Sequence, residues 1–118
     1  MQTLTTEEFK QKVFDFTASK DWAFKGPRPA IVDFYADWCG PCRALAPILE
    51  TVASKYSNEV DVYKVDTEAT PELAALFGVR GIPSILFIPQ TGEPAMATGL
   101  MGEDGFDNAI KEIFGISK

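Results

Sequence analysis

Apolar side chains recur along this chain with two periods, and the alternation between them predicts its elements. Phe9, Val13 and Phe16 recur at helical spacing behind Thr5 and Glu8, which stand three apart as in a capping box. An amphipathic helix is therefore predicted over residues 6–18, with a short strand over 2–4 ahead of it. Ala30-Ile-Val-Asp-Phe-Tyr-Ala36 is apolar on both faces apart from Asp33, the pattern of a strand covered on both sides. A second helix follows from about Gly40 to Tyr56, with Leu45, Ile48, Leu49, Val52 and Tyr56 on one face and Pro47 inside, where a kink is expected. Val60–Val65 reads as the next strand. Thr70 is predicted to cap a short helix that has Pro71 at its first position and Gly78 at its end. Ser84–Ile88 is another apolar strand, and Pro89-Gln-Thr-Gly92 turns the chain back into a short antiparallel strand near Ala95–Thr98. A last helix over about Glu103–Phe114 presents Phe106, Ile110, Ile113 and Phe114 to the core.

Strands alternating with helices, then a hairpin and a terminal helix, give an α/β architecture: a mixed, mostly parallel sheet of about five strands flanked by four helices. Residues 1–118 contain no repeat, linker or low-complexity segment, so one domain is expected. The connection Lys20–Pro29 holds Gly26, Pro27 and Pro29, and its Trp22 and Phe24 are expected to cover part of the core.

Charge and composition narrow the function classes. A net charge of −6 argues against nucleic-acid binding and against docking on an anionic membrane surface. The chain has no histidine, which removes the commonest general base and metal ligand, and two cysteines alone cannot close a Cys₄ or Cys₂His₂ zinc site. No metal and no cofactor is expected. No apolar run approaches the ~18 residues of a membrane span, and Met1–Lys12 is polar, without the apolar stretch of a signal peptide. A cytoplasmic location is expected, or a periplasmic one if a signal has been removed.

The two cysteines, Cys39 and Cys42, stand three apart where the apolar strand gives way to the second helix. One sulfur at that spacing can attack a foreign disulfide and the other can attack the mixed disulfide that results. A sulfur at a helix N-terminus faces unpaired N–H groups and the positive end of the helix dipole, which stabilise its thiolate, the reactive form. Cys39, nearer the helix start, is expected to attack first, and Cys42, one turn in and less exposed, to resolve. The bland alternative is a static disulfide or a pair of inert thiols, but a bridge over so short a loop adds little stability. Gly40 lets a partner backbone approach, and Pro41 suits the first turn because its missing N–H was not needed there. Trp38 is expected to lie as a partly exposed lid over the sulfurs. Asp37, Arg43 and Arg80 read as surface charges that tune partner choice. Asp33 sits mid-strand, where a carboxylate is costly and burial raises its pKa. It is either a charge at a sheet edge or paired with Lys64, or the acceptor of the proton that Cys42 must lose.

Ile31-Val-Asp-Phe-Tyr-Ala-Asp-Trp-Cys-Gly-Pro-Cys-Arg43 closely resembles the active-site strand and turn of thioredoxins. Val65-Asp66, Phe77-Gly-Val-Arg-Gly-Ile-Pro-Ser84 and Gly92 match the rest of the thioredoxin pattern, in the same order and over essentially the whole chain. The resemblance implies a thioredoxin fold and a dithiol–disulfide oxidoreductase. It implies reduction by a thioredoxin reductase, with client proteins bearing exposed disulfides as substrates. It assigns Asp33 as proton acceptor, makes the Ile82–Pro83 bond cis beside the dithiol, and has the Ile82 backbone pair with an extended substrate segment. Gly99 matches a glycine bordering the same surface, with Gly102 as a rival. Counting back four residues from Asp66 puts Val62 where some thioredoxins carry a lysine near the buried aspartate, so the charge balance at Asp33 is expected to differ. A monomeric reductant of client disulfides is the leading reading. The alternatives are a specialised oxidising enzyme and a binding subunit that uses the fold for docking, with Lys20–Pro29 as the mark of a dedicated partner.

Overall fold

The computed structural model describes residues 1–118. Its sheet has five strands in the order β1-β3-β2-β4-β5: β1 (Gln2–Thr3), β2 (Ala30–Tyr35), β3 (Asp61–Asp66), β4 (Ser84–Ile88) and β5 (Ala95–Thr98). β1, β3 and β2 run parallel, and β4 and β5 add antiparallel neighbours. Four helices cover this sheet: α1 (Thr6–Lys12), α2 (Gly40–Lys55), α3 (Pro71–Leu76) and α4 (Glu103–Ala109), the last continuing as a π-type turn over Ile110–Phe114. No helix is long and apolar enough to cross a membrane.

The alternation of β2 divides the core between the two faces. Val32 and Phe34 point to one face, where Phe9 of α1, Leu73 of α3 and the loop residues Trp22 and Phe24 close over them. Ile31 points to the other, against Leu45, Leu49 and Val52 of α2 and Phe106 of α4. Asp33, between Val32 and Phe34, shares the face of Ile31. The aromatic side chains of Lys20–Pro29 are engaged in the first core, with the Trp22 ring 4.9 Å from Phe14 and 6.0 Å from Phe77.

Local chemistry moves several boundaries. The capping box of α1 forms, Thr5 accepting from the Glu8 N–H and Glu8 accepting from the Thr5 N–H. The helix nevertheless ends at Lys12, short of residue 18. Asp15 captures both the N–H and the hydroxyl of Thr17, offering the backbone a turn instead of another helical bond. β3 begins at Asp61 because the Val60 N–H still donates to Tyr56 O at the end of α2. Thr70 precedes α3 but makes no side-chain cap; its hydroxyl donates instead to the Asp66 carbonyl, 2.8 Å away. α2 runs on through Pro47, which faces solvent. The turn after α3 uses Gly78 at φ 65°, a left-handed conformation suited to glycine.

Candidate active site

β2 delivers the chain to the C-terminal edge of the sheet, where a short turn links Ala36 to α2. Cys39 is the N-cap of α2, in extended conformation, and its Sγ accepts the Cys42 N–H at 3.2 Å. The turn is closed by the Cys39 N–H donating to Ala36 O and by the Arg43 guanidinium donating to Asp37 O. Cys39 and Cys42 are joined as a disulfide with their Cα atoms 5.2 Å apart. The expected contrast in exposure is absent: Cys39 is 4% and Cys42 5% exposed. Both cysteines belong to one small cluster with Ala36, Tyr35 and Ile82, so what distinguishes Cys39 is its place at the cap. An N–H already aimed at Sγ, together with the helix dipole, stabilises a thiolate there once the bond is reduced.

The other residues singled out in the sequence converge on this edge. Gly40 opens α2, and a Cβ built on it meets nothing within 4 Å, so a partner backbone has room to approach. Pro41 follows, exposed. The Ile82–Pro83 bond is cis, Pro83 is buried, and the Ile82 carbonyl oxygen lies 3.8 Å from Cys39 Sγ. Gly99, at φ 103°, donates its N–H to the Pro83 carbonyl at 2.8 Å, which ties the end of β5 to this loop. Gly102 is instead the N-cap of α4. Trp38 is 68% exposed, an aromatic surface beside the turn.

Asp33 is 1% exposed and one of its carboxylate oxygens, Oδ1, is buried without a hydrogen-bond partner. Burial pushes its pKa up to about 6, partly offset by the positive charge of Lys64. β2 is the central strand of the sheet, so the edge-charge reading fails. The lysine reading is corrected as well: in the parallel register Lys64, not Val62, stands opposite Asp33, while Val62 pairs with Ile31 in the core. Pairing register is non-local, and counting along one strand does not reveal it.

Two residues that sequence reasoning passed over belong to the site. Tyr35 lies beneath the Lys64 ammonium, which sits 4.3 Å from its ring centroid, and both line a 130 Å³ pocket with Ala36, Asp37, Cys42, Arg43 and Ala46. Their shared face with Asp33 was the available signal. Ser84 is buried at the start of β4 and its hydroxyl donates to Gly81 O at 2.5 Å, closing the loop around Pro83.

A buried cysteine pair at a helix cap, a backbone loop against its sulfur and a buried carboxylate on the strand that leads into it make an arrangement suited to disulfide exchange. The thioredoxin family model matches residues 1–112. A thioredoxin of Borreliella burgdorferi is 50% identical over 113 residues, which span 96% of this chain and 97% of that protein. Thioredoxin 1 of Nostoc sp. is 34% identical over 92% of each chain. The crystal structure of chloroplastic thioredoxin z superposes with a TM-score of 0.79 at 29% identity, covering 96% of this chain and 93% of that one. With the likeness running end to end in sequence and in fold, this chain is a thiol–disulfide oxidoreductase belonging to the thioredoxin family.

Proposed function

We propose that this chain is a general reductant of protein disulfides, working with a thioredoxin reductase in the cytoplasm. In the reduced state the Cys39 thiolate attacks one sulfur of a client disulfide. A Cys39–client bond forms and the client's other sulfur leaves as a thiolate. Asp33 then takes the proton from Cys42, so an S–H bond breaks and an O–H bond forms. The Cys42 thiolate attacks Cys39 Sγ, the Cys39–Cys42 bond closes, and the second client sulfur departs as a thiolate. Two electrons pass from the dithiol to the client, and the reductase returns the disulfide to the dithiol.

The observation that carries this reading is the Cys42 N–H aimed at Cys39 Sγ at the cap of α2, which supports Cys39 as the attacking sulfur. The Asp33 role is supported by its burial and its raised pKa, which bring a carboxylate towards neutral pH, where a base works best. Gly40, Pro41, Trp38, Ile82, Pro83 and Gly99 frame the surface on which an extended client segment would lie, pairing with the Ile82 backbone. The binding-subunit alternative loses its best feature, because Trp22 and Phe24 of the Lys20–Pro29 loop are engaged in the core.

Insulin-disulfide reduction, followed with dithiothreitol and then with NADPH and a thioredoxin reductase, tests the proposal. Catalysed turnover with both electron sources is expected. Turnover with dithiothreitol but none with any reductase would remove the assigned partner, and no turnover at all would remove the reductant.

A further inference from the structure

Asp33 and Lys64 are register partners on adjacent parallel strands and project from the same face of the sheet. A lysine placed there would ordinarily satisfy a buried carboxylate, because an uncompensated buried charge is costly and a charge-assisted hydrogen bond relieves it. That bond is missing. Asp33 Oδ1 has no partner, and none of the ion pairs within 4.0 Å involves Lys64. The ammonium lies instead over the face of the Tyr35 ring, 4.3 Å from its centroid, within the range of a cation–π contact. Tyr35 is two residues beyond Asp33 on β2, so the lysine leans towards the end of the strand where the dithiol sits. There it helps line the pocket that reaches Cys42.

We propose that Tyr35 is a positioning residue whose ring holds the Lys64 ammonium away from Asp33, leaving the carboxylate unpaired and ready to accept a proton beside the dithiol. The inference rests on the role given to Asp33 above. A salt-bridged aspartate is a weak base because its charged form is stabilised, whereas an unpaired buried one is a stronger base. The ring keeps Asp33 in the second condition while leaving the cation close enough to limit the cost of ionising it. Lys64 from β3 and Tyr35 from the same strand are the groups beside Asp33. Asp66, opposite Tyr35 at the end of β3, Cys39, Cys42 and Arg43 at the start of α2, and Asp37 in the turn are further titratable or charged groups at this edge. Ile85, its partner on β4, carries no charge.

The test is a carbon-13 NMR titration of the Asp33 carboxyl in the full-length protein, a readout that needs no activity. Tyr35→Phe keeps the ring face and should leave the midpoint unchanged. Tyr35→Leu releases Lys64 to pair with Asp33, and the midpoint should fall by roughly half a unit to one unit. Lys64→Gln removes the cation and should raise it. In the Lys64→Gln background, Tyr35→Leu should no longer lower the midpoint, which separates the diverted lysine from a simple change in solvent access. A midpoint that stays or rises in Tyr35→Leu, or that falls equally in the Lys64→Gln background, overturns the proposal. If Tyr35→Leu fails to fold, the Lys64 side-chain protons of the unaltered protein decide the matter. Ring-current shifts that persist in Tyr35→Phe support the proposal, and their absence overturns it. The rate of mixed-disulfide resolution at pH 7, expected to fall about two- to three-fold in Tyr35→Leu, distinguishes the two levels of the argument. A shifted midpoint with an unchanged rate would remove Asp33 as the base while leaving Tyr35 as the residue that places Lys64.

Discussion

Replacing Asp33 with asparagine should make the fold more stable, and only at a pH where the aspartate would be charged. The size follows from burial. Asp33 is 1% exposed and its pKa is raised from 3.8 to about 6, with burial the main cause and Lys64 a partial offset. An acid with a raised folded-state pKa favours the fold fully only below its unfolded pKa. That contribution is lost as pH rises through the folded value. At about 1.4 kcal/mol per unit, the gap corresponds to roughly 3 kcal/mol of destabilisation above pH 7 and essentially none below pH 4. Asparagine is close in shape to the protonated acid, so Asp33→Asn should gain on the order of 2–3 kcal/mol at pH 7.5 and about nothing at pH 3.5. Urea unfolding of both proteins, oxidised, at the two pH values measures it. Other carboxylates, such as Glu8 and Asp107, have lowered values and pull total stability the other way. The difference between the two proteins cancels them. A gain of equal size at both pH values, or none at pH 7.5, would refute the claim that Asp33 is held as a costly buried charge.

Three further outcomes are expected. Asp33→Asn should slow resolution of the mixed disulfide most near neutral pH, where hydroxide is scarce; an unchanged pH–rate profile would exclude it as the base. Gly99→Ala places a side chain at φ 103° and should destabilise by about 1–2 kcal/mol. Because the Gly99 N–H holds the Pro83 carbonyl, the variant should raise KM for a protein disulfide more than for a small one, as parallel assays on insulin and on an aromatic disulfide would show. Tyr56→Phe removes a 2.6 Å hydrogen bond from a buried hydroxyl to Asp107 and should cost about 1–3 kcal/mol in urea unfolding, with insulin reduction unchanged because the bond lies between α2 and α4, away from the dithiol.

What the sequence made legible was mostly local. The capping box at Thr5 and Glu8, the doubly buried strand around Asp33 and the cysteine pair at a helix start are patterns of a few residues, and the structure shows each of them. The cis bond at Ile82–Pro83 became readable only through the family likeness. What was misjudged depended on competition or on distant pairing. Helical periodicity ran past Lys12 because Phe16 kept the spacing, but Asp15 captured the backbone first. Thr70 had the right chemistry for a cap, yet the Asp66 carbonyl claimed its hydroxyl. Lys64 was within view throughout, but its place opposite Asp33 belongs to strand register.

The most direct test of the central claim, that Cys39 attacks and Cys42 resolves, is mass-spectrometric mapping of the covalent complex formed with a client disulfide. Reduced Cys42→Ser and Cys39→Ser proteins would be mixed with oxidised insulin, quenched with acid and digested. An insulin cysteine linked to Cys39 is expected in the Cys42→Ser protein, and no adduct in Cys39→Ser, where no cap thiolate remains. An insulin peptide linked to Cys42 in the Cys39→Ser protein, with none trapped by Cys42→Ser, would contradict it and reverse the order of the two sulfurs.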